Sequence, residues 1–204
     1  MSAKKTSDLV AAFRNVPVLR SRELTAMGFT RQTIANASRA GVIRRLGRGL
    51  YSASDPANSQ MLPYASVART APKAVFCLLS ACKLHGLIAE EPKEIWIAIG
   101  PNAWAPRITA ARTRVVRFTG AALTSGLETH HSEGVDLKIY SVAKTVADMF
   151  RARKRVGLRS AIGALRTALT SNKCTVKQIQ NFARIRGVTG AVRPYLDAYT
   201  AQQL

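Results

Sequence analysis

The stretch Arg22-Glu-Leu-Thr-Ala-Met-Gly-Phe-Thr-Arg-Gln-Thr-Ile-Ala-Asn-Ala-Ser-Arg-Ala-Gly-Val-Ile-Arg-Arg-Leu-Gly-Arg-Gly-Leu-Tyr51 decides how this chain is read. Thr30 can accept a bond from an unpaired amide of a new helical turn, and Gly41 can take the backbone out of one, so a helix is expected over 31–40. Before it, Ser21 is placed to cap a short helix over 22–27, with Leu24 and Met27 three apart on one face and Gly28 supplying the turn. After it, Val42 to Tyr51 reads as two short strands around Gly47-Arg48-Gly49, a tight hairpin with a basic tip. Further upstream, Ser7 is placed to cap a first helix whose Leu9, Val10 and Phe13 face inward.

Helix, glycine turn, helix and basic hairpin, in that order, make a winged helix-turn-helix, whose last helix enters the major groove. At about 100° per residue from Ile34, Ala37, Ser38 and Gly41 return to the inward side, and Gln32, Asn36 and Arg39 point away. Asn and Gln can bond both edge atoms of adenine, and Arg those of guanine. Arg31 and Thr33 lie at the helix N-terminus, where phosphates are favoured, and Arg44, Arg45 and Arg48 supply the wing. Each residue type alone is common on a solvated face. Their coincidence within one short segment argues for nucleic-acid binding. Gly47-x-Gly49 lacks the third glycine and following helix of a phosphate loop, so it reads as a turn.

Charge agrees. The 204 residues hold 31 Lys plus Arg against 11 Asp plus Glu, a formal +20 that suits a polyanionic partner. Residues 1–58 carry ten basic and three acidic side chains, residues 59–143 nine and six, and residues 144–204 twelve and two. The ends are therefore basic and the middle is nearly balanced. Residues 52–60, rich in turn formers, are the expected linker, with the boundary near Asp55 to Gln60. This divides the chain into a DNA-binding domain, residues 1–58, and a second domain, residues 59–204. No apolar run is long enough for a membrane span and the start lacks a signal peptide's apolar stretch, so a soluble, cytoplasmic protein is expected. Cys77, Cys82 and Cys174 form no Cys-x-x-Cys pair and read as reduced packing residues.

The second domain mixes types. Met61 to Thr70 and a segment ending at Leu87 read as helices; Glu94–Ile99, Arg114–Phe118 and Val135–Tyr140 read as strands. From Ser141 onward the pattern is helical. Ser141 and Ser160 are placed as caps, Thr175 and Gln178 form a capping box, and a last helix starts near Ala191 with Pro194 in its first turn. The fold class is thus α+β: the winged helix-turn-helix, then a mixed domain with a small sheet and a helical C-terminus.

Three passages resemble the AbiEi antitoxins of bacterial toxin-antitoxin and abortive-infection systems: Arg22 to Arg31 with the hairpin Gly47 to Tyr51; Ser80-Ala-Cys-Lys-Leu-His-Gly86; and Ile139 to Phe150 followed by Arg151 to Gly157. The resemblance implies a winged-helix domain that represses its own operon from inverted repeats in double-stranded DNA. It also implies a C-terminal domain needed to neutralise a nucleotidyltransferase-like toxin, whether by direct contact or indirectly, without any cofactor.

Other chemistry fits less well. Asp136-Leu-Lys138, with Glu94 as a second ligand, matches the Asp-x-Lys strand motif of a class of metal-dependent nucleases, yet plain alternation of a half-exposed strand also produces it. A ligand-sensing transcription factor is a further alternative. Glu128-Thr-His-His-Ser-Glu133 fits no ligand spacing and reads as a surface loop. Cys82 and His85 share a helical face but sit in an apolar segment, which favours packing over nucleophilic catalysis, and Lys144 with Asp148 reads as a helix-surface pair. No catalytic residue and no metal site is therefore expected. Arg151, Arg153, Lys154, Arg155 and Arg159, on a helix end and loop, form a candidate surface for a partner or nucleic acid.

Overall fold

The computed structural model describes residues 3–54 and 60–201. The expected linker falls largely on residues 55–59, outside the described residues. The chain forms two compact units. One holds residues 1–72, 106–112 and 130–137; the other holds residues 73–105, 113–129 and 138–204. Helix and sheet mix in both, so the α+β class holds.

The first unit begins with α1 (Ala3–Ala11), β1 (Leu19–Arg20), α2 (Ser21–Ala26) and α3 (Arg31–Arg39), continues through β2 (Ile43–Gly47) and β3 (Leu50–Ala53), and includes α4 (Leu62–Thr70). Its core is Leu9, Phe13, Leu19, Leu24, Ile34, Ala37 and Ile43. Three local expectations change. Ser7 lies inside α1, whose Val10 is exposed. Ser21 is the first residue of α2 and not its cap; the Arg20 amide donates instead to Glu23 Oε2 at 2.6 Å, so a carboxylate satisfies the chain at the helix start. Met27 ends that helix exposed rather than sharing the buried face of Leu24.

Gly28, at φ +93°, closes α2 as expected: its amide reaches Thr25 and that of Phe29 reaches Leu24, two bonds that use up carbonyls at the helix end. The three strands run β1-β3-β2, both pairs antiparallel. The β2–β3 register shifts between Arg45 and Gly47.

The second unit contains β4 (Val75–Phe76), α5 (Leu78–Leu84), β5 (Ile95–Ile99), β6 (Thr113–Arg117) and α6 (Ala121–Thr124). It ends in α7 (Val142–Arg151), α8 (Arg153–Val156), α9 (Leu158–Thr170), α10 (Val176–Ile185) and α11 (Thr189–Ala201). Strands β7 (Leu127–Ser132) and β8 (Val135–Tyr140) complete a sheet of order β6-β5-β4-β8-β7. The β4 strand pairs antiparallel with β5 and parallel with β8, and β5 pairs parallel with β6. Helix α7, buried from Ala143 to Phe150, is the centre on which α5, α9 and α10 pack.

Here too the sequence reading needs correction. Of residues 128–133, expected as loop, 128–132 belong to strand β7, which is joined to β8 by Glu133 and Gly134 at φ +47° and +67°. Two successive positive φ values are the type I′ turn whose twist matches a hairpin. Ser160 lies inside α9, which starts at Leu158 behind Gly157 at φ +86°. Helix α11 starts at Thr189, so Pro194 lies beyond its first turn, and the carbonyl it cannot serve belongs to exposed Gly190. The capping box at Thr175 forms as expected, with both reciprocal bonds.

Candidate nucleic-acid interface

Helix α3 is set by its two ends. The Thr30 hydroxyl accepts from the Thr33 amide at 3.1 Å, and beyond the other end the Val42 amide donates to Ala37 across Gly41. Ile34 and Ala37 bury one face. Arg31, Gln32 and Arg39 are exposed and Asn36 is half-buried on the other. Gln32 Nε2 donates to Asn36 Oδ1 at 2.9 Å, and an Arg39 guanidinium nitrogen donates to the same oxygen at 2.6 Å. The trio expected to reach base edges is thus one bonded row along the helix. The Thr33 amide serves Thr30, and its hydroxyl lies 2.9 Å from the Thr30 hydroxyl.

Arg44, Arg45 and Arg48 are all exposed on the β2–β3 hairpin. Gly49, at φ +64°, closes its tip, where an added Cβ would lie 3.0 Å from Ser21 Oγ. Arg44 and Arg45 are successive strand residues opposite Ser52 and Tyr51, so their side chains leave opposite faces of the ribbon.

In the second unit, Lys144 and Asp148 do not form the expected surface pair. They are 0% and 1% exposed, with Lys144 Nζ at 2.6 Å from Asp148 Oδ2. Arg186 Nε donates to the other carboxylate oxygen. Lys144 Nζ sits 3.4 Å from the centroid of the Tyr140 ring, and the Arg186 guanidinium 4.5 Å from that of Phe118. The surrounding apolar helices force the pair inside, and the two aromatic faces offer it a cation-binding wall. Burial pushes the Asp148 carboxyl up, against the pull of Lys144 and Arg186, and lowers the Lys144 ammonium, against the pull of Asp148.

The basic cluster also differs from expectation. Arg151 ends α7, and Arg153, Lys154 and Arg155 form α8 instead of a loop. They line a cleft of about 630 Å³ together with Arg117 and Arg186. Arg159, exposed on α9, is not part of it.

The residues of the enzyme alternatives have other partners. Asp136 Oδ1 lies 2.6 Å from His131 Nδ1, and Glu94 is paired with Arg114 at 2.7 Å. Val135, Leu137 and Ile139 are buried while Asp136 and Lys138 are exposed, as simple alternation requires. His85 Nε2 is bonded to the Tyr140 carbonyl at 2.7 Å, and burial pushes the Cys82 thiol up to about 12, far from a nucleophilic thiolate. Among the described residues no helix is long and apolar enough to cross a membrane.

A bonded polar row on one capped helix is thus followed in the chain by a hairpin bearing three exposed arginines. Residues 7–53 match the family model described as a transcriptional regulator, AbiEi antitoxin, so the AbiEi resemblance holds over the segment that carries this surface. Across more of the chain, the fold is similar to that of the RV2827C protein from Mycobacterium tuberculosis in its crystal structure. The TM-score is 0.62 at 16% identity, over 95% of this chain and 81% of that one. At that identity the likeness concerns the fold alone. None of the curated proteins matches.

Proposed function

We propose that the chain is a DNA-binding antitoxin that represses its own toxin-antitoxin operon in the cytoplasm and neutralises a nucleotidyltransferase-like toxin. In this reading residues 1–58 act as a winged helix-turn-helix on inverted repeats in double-stranded DNA, and residues 59–204 carry the antitoxin role. The protein works by binding and not by catalysis. Helix α3 lies in the major groove with Gln32, Asn36 and Arg39 at base edges, Arg31 and Thr33 beside phosphate, and Arg44, Arg45 and Arg48 on the flanking backbone.

The observation that carries this reading is the bonded row centred on Asn36. Side chains already aligned by bonds to one another lose less freedom on meeting a duplex. The match of residues 7–53 to a transcriptional-regulator family supports the same assignment. The test is fluorescence anisotropy of the full chain on the duplex upstream of its own gene and on a scrambled duplex of equal length. Tighter binding to the first, by at least tenfold at 150 mM salt, is expected. Equal affinity for both would sink the operator reading. Co-expression of the full chain with a nucleotidyltransferase-like toxin encoded beside it tests the second half: growth is restored, and failure to restore it would sink the antitoxin role.

A further inference from the structure

Six cations from four parts of the second unit face the same cleft of about 630 Å³: Arg117 at the end of β6, Arg151 at the end of α7, Arg153, Lys154 and Arg155 on α8, and Arg186 just beyond α10. Among the described residues the sole acidic group in its wall is Asp148, and both its oxygens are already held, by Lys144 and Arg186. Apart from Arg186, which Asp148 pairs, the cations of the cleft have no ion-pair partner among the described residues, and a large positive excess remains. Empty, such a cluster repels itself; an anion entering it relieves that repulsion.

Two of the six are held in position by the backbone. One Arg117 nitrogen donates to the carbonyls of Gly100, Pro101 and Ala103 at 3.0, 2.7 and 2.8 Å, and one Arg153 nitrogen donates to Phe150 at 2.9 Å. Each guanidinium keeps further N–H groups for a ligand. Arg151, Lys154 and Arg155 are exposed, and none of the three is in an ion pair among the described residues.

We infer that this cleft binds the polyphosphate group of a small molecule, such as the triphosphate of a nucleotide. Arginine's planar fork matches phosphate oxygens two at a time. The volume falls in the range of small-ligand sites, about 300–1,000 Å³. The cations surround a hollow; a duplex is a broad convex cylinder, served better by cations along a ridge. One contribution opposes the anion, namely the partial negative charge at the C-terminus of α7. Arg153 covers one of its last carbonyls, and the five cations left after Asp148 pairs Arg186 outweigh a fraction of one charge.

The same geometry says which part of a nucleotide is recognised. The Phe118 ring is covered by Lys144 and Arg186, 4.9 and 4.5 Å from its centroid, so its face is already in use and gives a base no stacking surface. Phosphates are read and the base is not.

The test uses the full chain and inorganic tripolyphosphate, titrated by calorimetry at 150 mM salt, followed by competition with ATP, GTP, CTP, UTP and an unphosphorylated single-stranded dodecamer. One tripolyphosphate per chain is expected, displaced by all four nucleotides within about threefold of one another and poorly by the dodecamer. The triple variant R151Q/K154Q/R155Q should bind at least tenfold more weakly. R166Q/K177Q/R184Q, which removes equal charge outside the cleft, should bind as the parent does. Melting curves confirm folding, and K154Q alone, expected to weaken binding measurably, replaces the triple variant if that one unfolds. No saturable binding, equal loss in the two triple variants, stronger displacement by the dodecamer, or a strong preference for one base would each overturn the proposal.

Discussion

Arg39 donates to Asn36 Oδ1 at 2.6 Å, three residues back along the same exposed face of α3. On the proposed reading each of these residues contributes to base readout, and each also holds the other in place. N36A and R39A should each reduce the preference for the operator over random duplex by about 1–3 kcal/mol. The double variant should lose less than the sum, because contacting residues couple by about 0.5–3 kcal/mol. Anisotropy on the two duplexes measures all four corners of the cycle. Strict additivity would mean that the pair acts as two independent contacts.

Arg44 and Arg45 leave opposite faces of the β2–β3 ribbon, so a single duplex cannot meet both equally. R44A and R45A should each weaken binding to operator and random duplex alike, one of them by more than the other. Five to seven phosphate contacts would give a slope near −5 to −6 in log K against log salt, and losing one contact lowers it by about 0.9. A salt titration of each variant reads this directly. Equal effects from both would place the hairpin edge-on to the backbone.

The buried ion pair gives a prediction about stability. Removing the charge of Asp148 leaves Lys144 and Arg186 facing each other without their shared carboxylate, so D148N should cost about 3–5 kcal/mol. Chemical denaturation should show the midpoint falling with little change of slope. A loss under about 1 kcal/mol would be the behaviour of a surface pair, contrary to the burial seen here.

The Cys82 thiol ionises near 9.0 in an unfolded chain and is pushed up to about 12 by burial. Between those values the folded chain holds a proton that the unfolded chain releases. The stability linked to Cys82 is therefore complete below pH 9 and is lost as pH rises toward 12. Urea melts across the alkaline range should show stability falling with pH, and C82A should reduce that slope. An unchanged slope would assign the alkaline loss to other groups, such as the Cys77 thiol, which burial also raises.

Gly134 tests the β7–β8 turn. An added Cβ would lie 2.6 Å from Val16 Cγ2 and 3.0 Å from the Asn15 carbonyl, at a φ of +67° that L residues seldom adopt. Strain and overlap act in the same direction, so G134A should destabilise by about 1–3 kcal/mol. G163A, inside α9 with open space around its Cβ position, should be neutral or slightly stabilising.

What the sequence revealed and what it hid follow from the range of the forces involved. Thr30, Gly41 and the Thr175–Gln178 box act within one helical turn, so local chemistry alone located α3 and the start of α10. The spacing of Lys144 and Asp148 is the same whether their helix face meets water or other helices, and only the packing of α5, α9 and α10 separates the cases. Strand β7 was missed because Glu-Thr-His-His-Ser has no apolar alternation and is mostly exposed, while Glu133-Gly134 is a less familiar I′ pair than Asn-Gly. Arg117 and Arg186 lie far along the chain from residues 151–155, and nothing local joins them. The cleft therefore came into view only with the fold.

That the first unit includes residues 106–112 and 130–137 bears on how the chain is made. A nascent chain leaves the ribosome from its N-terminus at about 5–20 residues per second, so roughly 4–17 s separate the emergence of β3 from that of the Glu133–Gly134 turn. During that interval the α3 surface exists without the segment that packs on Val16. Pulse-labelling or limited proteolysis of stalled chains would find the N-terminal residues still accessible when the polypeptide ends near residue 100, and closed once residue 137 has emerged. A chain built this way completes its first unit only after the opening segments of its second, residues 73–105 and 113–129, have been synthesised.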